Sequence, residues 1–132
     1  MQTMTLVRPL THRFAPVDVL LTEYDLVLPD LTFVAADRLG IIHPARIEGA
    51  PDLVLEILSP STRRVDLVRK AALYATAGVR EYWLVDPEAR SITVSALAGR
   101  HFEPVAASSP VARSSVLPGL EVDAAALFAD LA

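Results

Sequence analysis

The sequence predicts a mixed α/β (α+β) fold with few helices, and three observations lead there. Residues 53–58 form a run of strand length that is apolar except at Glu56, residues 65–77 read as a helix, and residues 81–85 (Glu-Tyr-Trp-Leu-Val) read as a strand again. A strand, a crossover helix and a second strand predict parallel neighbours with a right-handed connection. The segments on either side of this unit read as hairpins, so the sheet is expected to be mixed. At 132 residues the chain suits one domain, 1–132, built around a single core.

In chain order, residues 17–21 and 26–35 are expected as strands joined by a polar turn at 22–25. Pro29 lies at the front of the second and suits an edge or a bulge, because proline has no N–H for the ladder. Residues 36–51 look irregular, punctuated by Gly40, Pro44, Gly49 and Pro51. The 53–58 run has the composition of a central strand buried on both faces. Ser59-Pro60-Ser61-Thr62 supplies turn and N-cap chemistry for the 65–77 helix, which Gly78 should end. Asp86-Pro87 closes the 81–85 strand. Residues 91–97 and 101–105 form a hairpin around Gly99-Arg100, followed by a short strand near 115–117 and a terminal helix at 123–131.

Composition narrows the function. The chain is 52% hydrophobic and 21% charged, so it is globular, and the high apolar share hints at surface buried against another subunit. It has no cysteine, which excludes disulfides and thiolate zinc sites. Residues 1–13 show no apolar signal region, and no uncharged apolar run approaches the roughly 20 residues that cross a bilayer. A cytoplasmic protein without a membrane partner is therefore expected. The net charge of −4 argues against a constitutively basic nucleic-acid wrapper. Yet residues 61–80 carry a local excess of positive charge from Arg63, Arg64, Arg69, Lys70 and Arg80 against Asp66. Such a patch suits phosphate contacts, and it equally suits an ordinary solvated helix face.

Lys70 is the one lysine in a chain with eleven arginines. An ammonium is a compact point charge whose pKa shifts readily on burial, so the two residue types are not interchangeable. Residues two apart on a strand share a face, which groups Val54, Glu56 and Leu58 against Leu53, Leu55 and Ile57. An unpaired carboxylate in that strand would cost several kcal/mol, so Glu56 needs a partner, a metal or a proton. Asp52 shares its face but lies roughly 13 Å away along an extended strand, too far for one ion. Asp30 sits on another strand, and neighbouring strands lie only about 5 Å apart, so it is the better candidate. On the helix, Asp66, Lys70 and Leu73/Tyr74 follow one another at helical spacing along one side. Two carboxylates and a lysine near a sheet end suit phosphodiester hydrolysis assisted by Mg²⁺, with Lys70 orienting water and offsetting developing charge. Against this stand a solvated Lys70, or one paired with Asp66 a turn earlier.

The stretch 49–87, GAPDLVLEILSPSTRRVDLVRKAALYATAGVREYWLVDP, with LPDLTFV at 28–34 upstream, resembles the bacterial Uma-type restriction endonuclease family of the PD-(D/E)XK nuclease superfamily. The resemblance covers the chain from about Pro16 onward. It implies a restriction-endonuclease-like mixed sheet with flanking helices. It also implies Asp30, Glu56 and the backbone carbonyl of Ile57 as ligands for Mg²⁺ or Mn²⁺. The superfamily's E-x-K reads Glu56-Ile57-Leu58 here, as in members whose lysine has moved to the following helix, where Lys70 stands. One departure is that family members usually carry a further helix and a Tyr-Glu-Leu-Ile-Asp-Gly-like segment ahead of the first hairpin. A shortened domain is therefore expected, with part of its sheet exposed and a homodimer covering it.

Other residues have plainer readings. His12, His43 and His101 lack metal-ligand spacing and suit surface, loop or strand-end positions. Ser59 and Ser61 have no general-base motif nearby and suit capping. Of Tyr82 and Trp83 one is expected to enter the core, and Asp86 suits a turn. Asp66 suits either a residue supporting Lys70 or a simple ion pair with it. Two functions follow: a Mg²⁺-dependent DNA endonuclease on Asp30, Glu56 and Lys70, or a truncated non-catalytic dimeric module that binds nucleic acid or a protein partner.

Overall fold

The computed structural model describes residues 4–5, 11–14, 17–105 and 111–131. The strands before the first long helix are β1 (Met4–Thr5), β2 (Thr11–Phe14), β3 (Val19–Leu20), β4 (Leu26–Val27), β5 (Leu31–Ala35), β6 (Ile47–Glu48) and β7 (Leu53–Ile57). Helix α1 (Arg64–Ala77) follows, then β8 (Glu81–Asp86), β9 (Ser91–Ala98), β10 (His101–Pro104), β11 (Val111–Arg113), β12 (Glu121–Asp123) and helix α2 (Ala124–Leu131). A 3-10 turn, Ala36–Ile41, lies between β5 and β6.

The main sheet has six strands in the order β10-β9-β8-β7-β5-β2. Only β7 and β8 run parallel in it, from Leu53 beside Glu81 to Ile57 beside Val85, with α1 as their connection. The remaining pairings are antiparallel, as the hairpin patterning requires. Smaller sheets are formed by β1-β12-β11 and β4-β3-β6. The architecture is a mixed sheet with few flanking helices, as the sequence predicts.

Alternation along β7 divides the interior. Leu53, Leu55 and Ile57 join Phe33, Trp83 and Val85 on one face, closed by Leu120, Val122, Leu127 and Phe128 from the C-terminal segment. Val54 joins Val19, Val34 and Tyr82 on the other face, closed by Tyr74, Ala71, Leu73 and Ala77 of α1. The sheet is thus covered on both sides, which is why Tyr82 and Trp83 are both buried although only one was expected to be. Gly78 ends α1 at φ 95°, a left-handed conformation that glycine adopts without a Cβ clash.

Several sequence expectations need correction. The run 26–35 is two strands, because β4 and β5 belong to different sheets and the chain crosses between them at Leu28–Asp30. Pro29, which can donate nothing to a ladder, sits at the break. No strand forms at 115–117; Ser114 takes the N–H groups of Val116 and Leu117 into a turn, and the pairing residues are Val111–Arg113 and Glu121–Asp123. The Ser-Pro-Ser-Thr segment does not cap α1. Thr62 Oγ1 accepts the N–H of Ser59 instead, and the cap position falls on Arg63, which makes no side-chain capping bond. The sheet is not left bare either. Among the described residues the large apolar side chains that face solvent are Tyr24, Leu26, Leu28 and Leu39, Val65 and Val68 on the outer side of α1, and Val105 just after β10.

The two halves are joined by a carboxylate that the sequence did not single out. Glu81, wholly buried at the start of β8, accepts from Trp83 Nε1 at 2.9 Å and from both the N–H and the hydroxyl of Ser115, at 2.9 and 2.8 Å. It anchors the C-terminal segment to the sheet. Glu81→Ala leaves the buried Trp83 N–H unmet and releases Ser115, and is expected to cost about 3 kcal/mol in urea or thermal unfolding, whereas an exposed control such as Glu88→Ala stays within about 0.5 kcal/mol.

Candidate active site

Antiparallel register brings the two carboxylates to one place. Leu31 lies opposite Leu55 and Thr32 opposite Val54, and one step further along the same register Asp30 falls opposite Glu56. Directly opposed residues share a face, and this is the face covered by α1. Just before β5 begins, Asp30 supplies the missing acceptor with its side chain, since Oδ2 takes the N–H of Ile57 at 2.6 Å. Asp30 is therefore tied to the residue that follows Glu56.

Glu56 is buried, and both of its oxygens are engaged from α1. Oε1 accepts the hydroxyl of Tyr74 at 2.7 Å, and Oε2 lies 3.5 Å from Lys70 Nζ. Tyr74 and Lys70 are four residues apart, so they occupy neighbouring positions on one helix face. Burial raises the Glu56 pKa above the ordinary carboxylate value; the Tyr74 hydrogen bond and the Lys70 charge oppose that rise, and the Asp30 charge adds to it. Tyr74 is pushed strongly upward by burial and by the Glu56 charge, so its hydroxyl keeps its proton and acts as a donor.

Asp30, Glu56, Ile57, Asp66 and Lys70 line one cleft of about 220 Å³, together with Leu28, Leu58, Thr62 and Leu67. Asp66 thus reaches the cleft, but the ion pair of Lys70 is with Glu56 and not with Asp66. Arg63, Arg64 and Arg69 are exposed on α1 and outside this lining. Asp52 is engaged elsewhere: Oδ2 by the N–H of Ala35 at 2.7 Å and Arg38 at 3.0 Å, and Oδ1, which accepts no hydrogen bond, by Arg80 at 3.6 Å. His43 and His101 lie near Glu48 and Glu103, away from the cleft, and the side chain of His12 is outside the described residues. Among the described residues no group of three His, Asp or Glu side chains is placed to hold a metal ion.

Comparison with known proteins identifies the family and the fold. Residues 6–127 match the sequence model of the family Uma2, described as "Putative restriction endonuclease". The chain belongs to this family. A solved structure, a "putative nuclease belonging to DUF820" from Anabaena variabilis ATCC 29413, superposes with a TM-score of 0.72 at 20% identity, over 93% of this chain and 70% of that one. At that identity the likeness shows a common fold. No curated protein matches the chain in sequence. Among the described residues no helix is long and apolar enough to cross a membrane.

Tyr74 is the site residue that sequence reading placed on the right helix face without assigning it a part. The signal was its spacing of four from Lys70; the missing information was which strand residue that face would meet.

The raised pKa of Glu56 has a consequence for stability. Between the unfolded carboxylate value of 4.5 and its higher folded value, the native state binds more protons than the unfolded chain. Stability therefore falls as pH rises through that window. Glu56→Gln, melted without divalent cations, is expected to be more stable than the parent near pH 7, with the difference vanishing toward pH 4. A constant difference across pH 4–8 would contradict the assigned burial effect.

Proposed function

We propose that this chain is a divalent-cation-dependent DNA endonuclease, with Asp30, Glu56 and Lys70 as its catalytic residues. The observation that carries the reading is the convergence of two carboxylates and the chain's sole lysine in one cleft of a Uma2-family fold. A pair of hard oxygen donors beside an open cleft suits Mg²⁺ or Mn²⁺, which fill their remaining positions with waters and substrate phosphate oxygens. Asp30 and Glu56 would hold the ion, and the backbone carbonyl of Ile57 would be a third protein ligand. When bound, the cation supplies charge neutralisation at the attacked phosphate and lowers the pKa of a water.

The protein's own groups do the rest. Lys70 is partly exposed, with its ammonium at the carboxylate edge, so it can hold the attacking water and oppose negative charge growing on the phosphate. Asp66, in the same cleft, supports Lys70 through the local field. Arg63, Arg64 and Arg69 are exposed on α1 and would meet the flanking phosphates without reading sequence. Two copies acting together would cut both strands of a duplex, so a homodimer belongs to this reading.

Asp30→Ala and Glu56→Ala are each expected to abolish Mg²⁺-dependent cleavage of plasmid DNA while circular dichroism stays native. Lys70→Arg should fail as well, since a planar fork cannot replace a compact ammonium in a tight site. Cleavage at the parental rate by Lys70→Arg would remove the role assigned to Lys70. Light scattering at micromolar concentration should report about twice the chain mass of 14.3 kDa; a monodisperse monomer would overturn the dimer.

A further inference from the structure

We infer that Tyr74 is a positioning residue for the metal site, and that its hydroxyl decides which oxygen Glu56 offers to the cleft. The inference rests on the nuclease reading and adds a residue to it. Tyr74 is wholly buried and its O–H donates to Glu56 Oε1 at 2.7 Å. That bond commits Oε1 to the protein interior. Oε2, 3.5 Å from Lys70 Nζ, is left as the oxygen of the ion pair. The helix thus assigns one job to each oxygen of a single carboxylate: Tyr74 fixes the plane of the group, and Lys70 shares the outward atom with whatever cation enters.

Without the hydroxyl, nothing on the interior side would stop the carboxylate from turning to meet the ammonium with both oxygens. The ligand would then be drawn away from the cation. Partners that orient a metal ligand are typically worth roughly 10–100-fold in affinity. The ring of Tyr74 is separately held by Tyr82, whose centroid is 5.4 Å away, so Phe at position 74 can keep the packing and lose only the hydrogen bond.

The same pair supplies its own control. Tyr82 is equally buried, stacks on both Tyr74 and Phe102, and has no hydrogen-bond partner for its hydroxyl. Removing that O–H deletes an equivalent atom from the same aromatic row, one that senses the Glu56 charge but makes no hydrogen bond to it. Any effect common to both tyrosines would belong to the packing, and an effect confined to Tyr74 belongs to the bond.

Mn²⁺ binding to the full chain, followed by electron paramagnetic resonance and by calorimetry without DNA, tests the inference. Tyr74→Phe should weaken Mn²⁺ by roughly 10–100-fold, and Tyr82→Phe should leave the affinity unchanged. In cleavage assays the Tyr74→Phe loss should be recovered by raising Mn²⁺, as a shift in the metal requirement and not in the saturated rate. Parental affinity in Tyr74→Phe, or equal weakening in both variants, overturns the inference while leaving the nuclease reading intact. Failure of the parent chain itself to bind Mn²⁺ overturns the nuclease reading, and this inference with it. Should Tyr74→Phe not fold, the parent chain still decides: the hydrogen-bonded Tyr74 hydroxyl proton should shift in NMR spectra on addition of Mg²⁺. An unmoved resonance overturns the inference.

Discussion

A carboxylate in the middle of an apolar strand sets the terms for everything around it. Glu56 lies on β7 with Val54 and Leu55 before it, and unpaired it would cost several kcal/mol. Its needs are met from α1, by the Tyr74 hydroxyl on one oxygen and the Lys70 ammonium on the other. Those two groups arrive only if the helix lies along the sheet with that face down. Burial of Tyr74 and Ala75 holds it there, and the left-handed turn at Gly78 returns the chain to β8 beside β7. The packing of the helix and the electrostatics of the site are thus one problem with one solution.

The two faces of the sheet have different duties. The face with Leu53, Leu55, Trp83 and Phe33 is apolar and closed by the C-terminal segment, which Glu81 fastens through Ser115. The opposite face carries a carboxylate at each end of β7, Asp52 and Glu56. Asp52 is wholly buried and ties parts of the fold together: Oδ2 takes the Ala35 N–H and Arg38, while Oδ1 lies 3.6 Å from Arg80 with no hydrogen bond. Glu56 borders a cleft and is partnered by a partly exposed ammonium. The same side-chain chemistry on one strand face is enclosed by arginines at one end and borders a cleft at the other. The difference is access to solvent and the kind of cation alongside.

Much of this was visible in the residues. The period-two grouping on β7, the helix that Gly78 ends, the parallel partner expected at 81–85 and the preference for Asp30 over Asp52 as the neighbour of Glu56 all followed from spacing and strand geometry. What failed did so where local signals compete with long-range pairing. The 26–35 run reads as one strand because its apolar pattern is continuous, yet its halves pair in different sheets. Residues 115–117 have strand composition, yet Ser114 turns them and Glu81 captures them. Glu81 itself looked like an ordinary strand-end acid, since nothing local announces that Trp83 and Ser115 will close over it.

The sequence by itself determined the alternation of faces and the order of strand, helix and strand, and it marked Asp30, Glu56 and Lys70 as candidates, because these depend on local periodicity and residue type. Only the tertiary structure decided which oxygen of Glu56 meets which partner, that Tyr74 belongs beside it, and that Lys70 pairs with Glu56 and not with Asp66. Those outcomes depend on the register between β5 and β7 and on the rotation of α1 over the sheet. Both are fixed by side chains far apart in sequence, whose mutual distances no local pattern contains.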